Sequence, residues 1–255
     1  MDNLVVKAVH VLSTLRPLAG GASARELASL TGLPRSTTQR ILTTLTSTGM
    51  VIQDHTTQRY KIGPRALLIG LGYNSGLTLV TEARPQMIAL RDATGETVGL
   101  SVAVDNTRVF LEEVQSTAEL RFASELGRLY PLWSGANGRV LMSGLPAEQI
   151  DAVLEGRALE ENVDHPLSID QTREELERAR EAGYAMAFNE AIANVNSLAM
   201  PIRDATGGVT AALSISGPAG RFTPERMREA IEPLRAACAV VSSRLGGVAP
   251  AATPR

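Results

Sequence analysis

Two stretches of this chain carry side chains whose types and spacing suit recognition chemistry. The first is GLPRSTTQRILTTLTSTG, residues 32–49, where Arg35, Ser36, Thr37, Gln39, Arg40 and Thr43 crowd one segment. Arg can donate a bidentate fork to guanine, Gln can pair with adenine, and short hydroxyls reach phosphates or thymine methyls at close range. Acids on such a face would repel DNA, and none stands between Glu26 and Asp54. The second is WSGANGRVL, residues 133–141, where small residues lead into a helical pattern. The first N–H groups of a helix lack intrahelical partners and carry partial positive charge, so a carboxylate can settle there if the approach is open.

Catalysis finds no comparable set. The histidines are His10, His55 and His165, and no G-x-S-x-G elbow accompanies the last of them. Cys238 is the one cysteine, which excludes an internal disulfide and a multi-cysteine metal site. Its place in AIEPLRAACAVVSSRL makes it a buried core thiol. The sequence therefore calls for no cofactor and no metal, and an enzyme is the weakest of the available readings.

The elements that must hold the first set are legible from period and caps. Leu4, Val5, Ala8, Val11, Leu12 and Leu15 recur at three- and four-residue steps, which predicts an amphipathic helix ending by Pro17. Ser23 and Glu26 form a capping-box pattern that opens a second helix, Gly32 ends it, and Pro34 opens a third. On a wheel of that third helix Thr38, Ile41, Leu42 and Leu45 gather inward, opposite the polar set. Two helices joined by a short Gly-containing turn are the pattern of a helix-turn-helix. MVIQDHTTQRYKIG then reads as a hairpin with strands Met50–Gln53 and Tyr60–Ile62, its tip presenting Thr57 and Arg59 as a wing toward DNA.

Beyond residue 63 the pattern changes. PRALLIGLGYNSG, residues 64–76, reads as a linker helix, and a long helix follows in which Pro85 should make a kink or mark the true start. Strands are expected at ETVGLSVAVD, TRVFLEEVQ, YAMAFN, NSLAMPIRD and GVTAALSISG, with three helices between the second and third, Ser168 as an N-cap, and a last helix interrupted at Pro233. RDATG occurs at 91 and 203, ending a helix in the first case and turning a hairpin in the second.

Charge divides along the same line. Residues 1–72 hold eight basic and three acidic groups, a balance of +5, while the remainder holds 17 basic and 24 acidic groups, a balance of −7. A basic end on an acidic body suits a polyanion-binding module joined to something else. The N-terminus has no cleavage-site pattern and no run is long enough to span a bilayer, so the expectation is a cytoplasmic protein without a membrane partner.

The runs VVKAVHVLSTL, ARELASLTGLPRSTTQRILTTLTSTGMV and RYKIGPRALLIG resemble the DNA-binding domain of the IclR (isocitrate lyase regulator) family of transcription factors. GRLYPLWSGANGRVLMSG, EAGYAM and LAMPIRDATGGVTAALSISGP are similar to the family's effector-binding domain, a fold related to GAF domains. The resemblance implies an α+β protein: a winged helix-turn-helix domain over 1–63, a linker helix over 64–76, a GAF-like effector-binding and oligomerisation domain over 77–246, and a disordered tail over 247–255. It implies a repressor that binds double-stranded operator DNA as a homodimer or dimer of dimers and responds to a small organic acid effector. Backbone N–H groups of Ala136 and Asn137 would hold that acid, and the segment 187–197 would complete the polar side. There the chain departs from the family: Ala187 replaces a carboxylate, Ser197 a cysteine, Asn194 a glycine and Trp133 a histidine. Trp133 and Asn137 then imply a flatter, aromatic acid, with Phe122, Tyr130, Val195 and Met200 as apolar walls. The competing readings are a constitutive architectural DNA binder without effector and, more remotely, a GAF-domain enzyme.

Overall fold

A computed structural model describes residues 3–69, 78–156 and 166–247. Contacts divide the chain into two units, Met1–Leu77 and Thr78–Arg255.

The first unit opens with α1 (Leu4–Leu15), whose N-cap Asn3 side chain accepts a hydrogen bond from the Val5 N–H at 2.9 Å. Its buried stripe is shorter than the wheel predicts. Val11 and Leu15 are buried and Ala8 and Leu12 pack against the core, but Leu4 and Val5 are 46% and 68% exposed, with no described residue covering the first turn. α2 (Ala24–Thr31) has the full capping box of Ser23 and Glu26, and Gly32 closes it in the left-handed conformation. Pro34 occupies the N-cap of α3 (Arg35–Ser47), and Thr38, Ile41, Leu42 and Leu45 are the face it buries. Strands β1 (Val51–Gln53) and β2 (Tyr60–Ile62) pair antiparallel with Gln53 opposite Tyr60, and an isolated bridge joins Ala22 to Tyr60 on the other side. Residues 64–69 are helical; the rest of the expected linker helix, through 76, lies outside the described residues.

In the second unit α4 (Thr78–Thr94) runs straight through Pro85, which therefore does not mark its start. Leu79, Ala83, Met87 and Leu90 form a buried stripe at helical spacing that holds the turn where proline removes a backbone bond. β3 (Thr97–Val104), β4 (Thr107–Val114) and β5 (Leu129–Pro131) follow, then α5 (Gly135–Ser143), α6 (Ala147–Glu155) and α7 (Ile169–Ala182). α7 opens with a capping box of Ser168 and Gln171. β6 (Ala185–Phe188), β7 (Val195–Arg203) and β8 (Val209–Pro218) lead to α8 (Pro224–Glu229) and α9 (Ile231–Arg244). The expected tail lies outside the described residues from 248 onward.

The last helix breaks between Glu229 and Ile231 rather than at Pro233, which sits inside the first turn of α9. A proline ring clashes with the carbonyl four residues earlier, here that of Glu229, so the break falls upstream of the residue that causes it. The short β5 has no alternating pattern of its own and was not expected; it is fixed by pairing, Tyr130 lying opposite Arg108.

The six strands form one antiparallel sheet in the order β5-β4-β3-β8-β7-β6. α5 packs on one face, with α6 and α7 completing its apolar cluster, and α4 and α9 cover the other. Central strand β8 is accordingly buried on both faces from Ala211 to Gly217.

Gly21 fixes the wing to the helices. Its φ is +70° and a Cβ there would stand 2.4 Å from the Tyr60 carbonyl oxygen, whereas a Cβ on Gly20 would meet nothing within 4 Å. Gly21→Ala is expected to lower the unfolding free energy by about 2 kcal/mol or more and Gly20→Ala to change it little, measured by urea denaturation of the full chain.

Candidate nucleic-acid interface and ligand cavity

On α3 the residues Arg35, Ser36, Gln39, Arg40 and Thr43 are exposed and Thr37 is half-buried, opposite the buried Thr38, Ile41, Leu42 and Leu45. Most of the helix's hydroxyls are not free donors. Thr43 donates to the Gln39 carbonyl at 2.9 Å, Thr44 to that of Arg40 at 3.1 Å and Ser47 to that of Thr44 at 2.9 Å. Thr48 donates to the Leu45 carbonyl at 3.0 Å. Such back-bonding gives weak helix formers a partner within the helix and leaves their oxygens as acceptors. Among the described residues the hydroxyls of Ser36 and Thr37 make no such bond and remain available as donors at the N-terminal end. Gln39 Nε2 donates to the Tyr60 hydroxyl at 3.3 Å, which steadies it against the hairpin.

The hairpin tip is organised by Asp54, whose carboxylate accepts from the N–H groups of Thr56 and Thr57 at 2.9 and 3.0 Å. The N–H of Thr57 and then that of Thr56 hold this carboxyl below its ordinary pKa. The turn is therefore supported above the ordinary carboxylate range and loses that support as pH falls through it. Thr57 is exposed at the tip. Arg59 is differently employed: it donates from Nε and Nη2 to the Gly21 carbonyl at 3.2 and 2.9 Å and pairs with Glu26 at 3.1 Å. It works as a strut from the hairpin to the start of α2.

The second unit contains a cavity of about 350 Å³. Phe122, Tyr130, Ala136, Asn137, Val195 and Ser197 line it, as do Ser134, Gly135 and Arg108. Its floor is set by strand register: Ala187 on β6 faces Ser197 on β7, which faces Ser216 on β8. Because side chains alternate along β7, Val195 and Ser197 share the cavity face, while Met200 has the opposite parity and lies against Cys238 of α9. Met200 is therefore not a wall. Trp133 does not line the cavity either; it is buried in the apolar cluster of α5 to α7, where the indole covers more apolar surface than a cavity edge would give it. Asn194 has φ +60°, a left-handed conformation that asparagine tolerates.

The N-terminus of α5 is capped from a distance. Ser134 makes no side-chain cap, and instead Glu190 accepts from the Gly135 N–H at 2.8 Å while pairing with Arg139 Nη1 at 2.7 Å. Arg139 Nη2 donates to the Met186 carbonyl at 2.6 Å. Both partners of this ion pair are buried, Arg139 at 1% and Glu190 at 5% exposure. Glu190 takes the first amide and leaves those of Ala136 and Asn137, which no helix start can satisfy internally. Asn137 Oδ1 accepts from the Ser101 hydroxyl at 3.1 Å, which orients its side chain.

Arg108, on β4, is 5% exposed. Its guanidinium lies 5.3 Å from the Phe110 ring and 5.0 Å from the Tyr130 ring, and those rings meet edge to face at 5.7 Å. Nε and Nη1 are buried with no hydrogen-bond partner among the described residues. Burial pushes its pKa down to about 10, with Tyr130 and Glu190 acting the other way. The group stays cationic at neutral pH, so its burial penalty is present there and is relieved only as pH rises past that value.

Family models match both units: residues 4–55 match the IclR helix-turn-helix domain and residues 72–243 the C-terminal domain of bacterial IclR transcriptional regulators. The chain belongs to the IclR family. The HTH-type transcriptional repressor AllR of Klebsiella pneumoniae is 30% identical over 241 residues, covering 94% of this chain and 89% of that one. An IclR-type structure from Silicibacter sp. TM1040 has a TM-score of 0.89 at 25% identity, covering 99% and 100% of the two chains. An IclR homolog from Microbacterium hydrocarbonoxydans, complexed with 4-hydroxybenzoate, shares the fold with a TM-score of 0.80 at 23% identity, covering 95% and 99%. As an IclR-family member the chain is a helix-turn-helix DNA-binding transcriptional regulator and not an enzyme. No described helix is long and apolar enough to cross a membrane, and no metal-binding cluster occurs among the described residues.

For this IclR-family regulator, sequence reasoning missed Glu190 and Arg108. Glu190 stands in a loop with no period to betray it. Arg108 left one signal: in TRVFLEEV it shares strand parity with Phe110, which places a cation on the apolar face. Glu190→Ala would leave Arg139 charged and buried without its partner, and is expected to cost about 3–5 kcal/mol in urea unfolding. Glu190→Gln, which keeps an acceptor for the Gly135 N–H, should cost less.

Proposed function

We propose that this regulator represses transcription from an operator read by α3 and senses a small organic acid, aromatic in class, in the cavity of its second unit. The observation that carries the sensing half is the cavity itself, into which the N-terminus of α5 opens beside Ser197. In this reading the amides of Ala136 and Asn137 hold the acid, Ser197 supplies a further polar contact, and Phe122, Tyr130 and Val195 pack against its body. The 4-hydroxybenzoate held by a relative of the same fold supports that ligand class.

On the DNA side, Arg40 and Gln39 meet base edges, Arg35, Ser36, Thr37 and Thr43 meet phosphates and methyls around them, and Thr57 approaches the backbone from the wing. Arg59 is left out of direct contact in this reading because its Nε and Nη2 are engaged by Gly21 and Glu26. A homodimer or dimer of dimers follows from the need to place two recognition helices on half-sites one turn or a multiple apart. The acid alters operator affinity only to the extent that it binds one quaternary arrangement more tightly than another.

Footprinting on DNA upstream of the protein's own gene and its neighbours tests the first half. Absence of any sequence-selective footprint would refute it. Given an operator, Arg40→Ala is expected to cost about 1–3 kcal/mol on that DNA and little on non-specific DNA. Ala136→Val should abolish any ligand-induced rise in melting temperature while the footprint persists. A protein that footprints but is stabilised by no small acid is a constitutive DNA binder.

A further inference from the structure

We infer that Arg108 is the charge-recognition residue of the cavity, the group that makes the effector an anion rather than any neutral molecule of the same shape. This inference rests on the sensing role proposed above and names the residue that selects the ligand's charge.

Two arginines and one carboxylate line the cavity: Arg128 and Glu125 are exposed and pair with each other at 3.6 Å, whereas Arg108 is the buried cation, with no direct counter-charge among the described residues. Arg108 is 5% exposed, and its buried Nε and Nη1 have no hydrogen-bond partner among the described residues. A buried charge without a partner is costly, and buried polar groups left unmatched in a folded protein call for an explanation. The Phe110 and Tyr130 rings at 5.3 and 5.0 Å offset part of that cost through their π-faces. The rings offer no oxygen or nitrogen lone pair, so Nε and Nη1 stay without a conventional acceptor. Glu190, the carboxylate whose charge acts on Arg108, is already engaged by the Gly135 N–H at 2.8 Å and by Arg139 at 2.7 Å. Arg139 is the contrasting case within the same unit: also an arginine in the interior, but with its own carboxylate and carbonyl.

Arg108 lines the same cavity as the start of α5. An anion there meets a full positive charge as well as the partial charge of a helix end, and the charged donor is the stronger of the two. The register fixes where Arg108 starts from: it sits on β4 between Ala103 of β3 and Tyr130 of β5, so its strand is paired on both sides and its backbone is held at the wall. A ligand bearing an amide or ester in place of the acid would leave that charge buried and unmatched, which makes the site reject neutral analogues by the cost of the missing partner.

The test is a thermal-shift panel on the full-length protein. The acids are pyruvate, succinate, benzoate, 4-hydroxybenzoate and terephthalate, each run beside its amide or methyl ester. At least one acid is expected to raise the melting temperature while its neutral partner does not. In Arg108→Met the affinity for that acid should fall by at least about 30-fold, and the ligand-free protein should melt no lower than wild type, because an unmatched buried charge has been removed. Arg108→Lys keeps the charge without the planar fork and should retain a reduced preference for the acid over its neutral partner. An amide or ester that stabilises wild type as strongly as its acid overturns the role of Arg108 and leaves the sensing role standing. So does an Arg108→Met protein that keeps the acid response, or an Arg108→Lys protein that treats acid and amide alike. Failure of every acid and every neutral compound to shift wild type overturns the sensing role and this inference with it.

Discussion

The cavity of the second unit depends on one carboxylate. Glu190 reaches from the loop after β6 to the first amide of α5 and to the guanidinium of Arg139, which in turn holds the Met186 carbonyl on β6. A helix start, a loop and an edge strand are thereby joined through charge-assisted bonds between buried side chains, where such bonds are strong and their loss severe. Ser134 can stand at the N-cap without capping because Glu190 does that work. Gly135, Ala136 and Asn137 can then face the cavity, since the group that neutralises Arg139 also fixes the end of the helix.

The sheet supplies the other half of the site by parity and register. Ala187, Ser197 and Ser216 lie side by side across three strands, and the same alternation turns Met200 toward α9. On the far edge, β5 is held by pairing with β4, which brings Tyr130 opposite Arg108 and packs Phe110 edge-on against it. The wall is thus an aromatic corner around a cation, and it faces a floor of small and hydroxylated residues. Ala187 places no charge on that floor, so the buried charge at the cavity is the cation at its wall.

The first unit follows a different economy. α3 is built from residues that disfavour helices, and their hydroxyls return their protons to the helix's own carbonyls. The face is therefore one of short acceptors, with exposed cationic and amide groups at Arg35, Gln39 and Arg40 and donor hydroxyls near the N-terminal end. The hairpin is stiffened from within by Asp54 and from behind by Arg59, so the arginine nearest the wing serves the fold.

Much of this was open to reading along the chain. Helix starts at Ser23 and Ser168, the stop at Gly32, the inward set of α3, the hairpin and the family itself rest on local rules: caps, period, turn chemistry and short runs whose geometry is decided within a few residues. Tyr130, Ala136 and Asn137 lie within a segment that resembles the family, and Phe122, Val195 and Ser197 lie close beside such segments; all six line the cavity. What the sequence could not decide is which groups meet across long separations. Arg139 and Glu190 are 51 residues apart, and Gly21 and Arg59 are 38. Nor could it decide that Trp133 packs into a core, that the first turn of α1 is exposed, or that Arg108 stands buried at a wall with Nε and Nη1 unmatched among the described residues. A side chain's period gives the face it occupies, whereas its partner is set by the folding of the whole sheet, and only that folding left a buried guanidinium facing an open cavity.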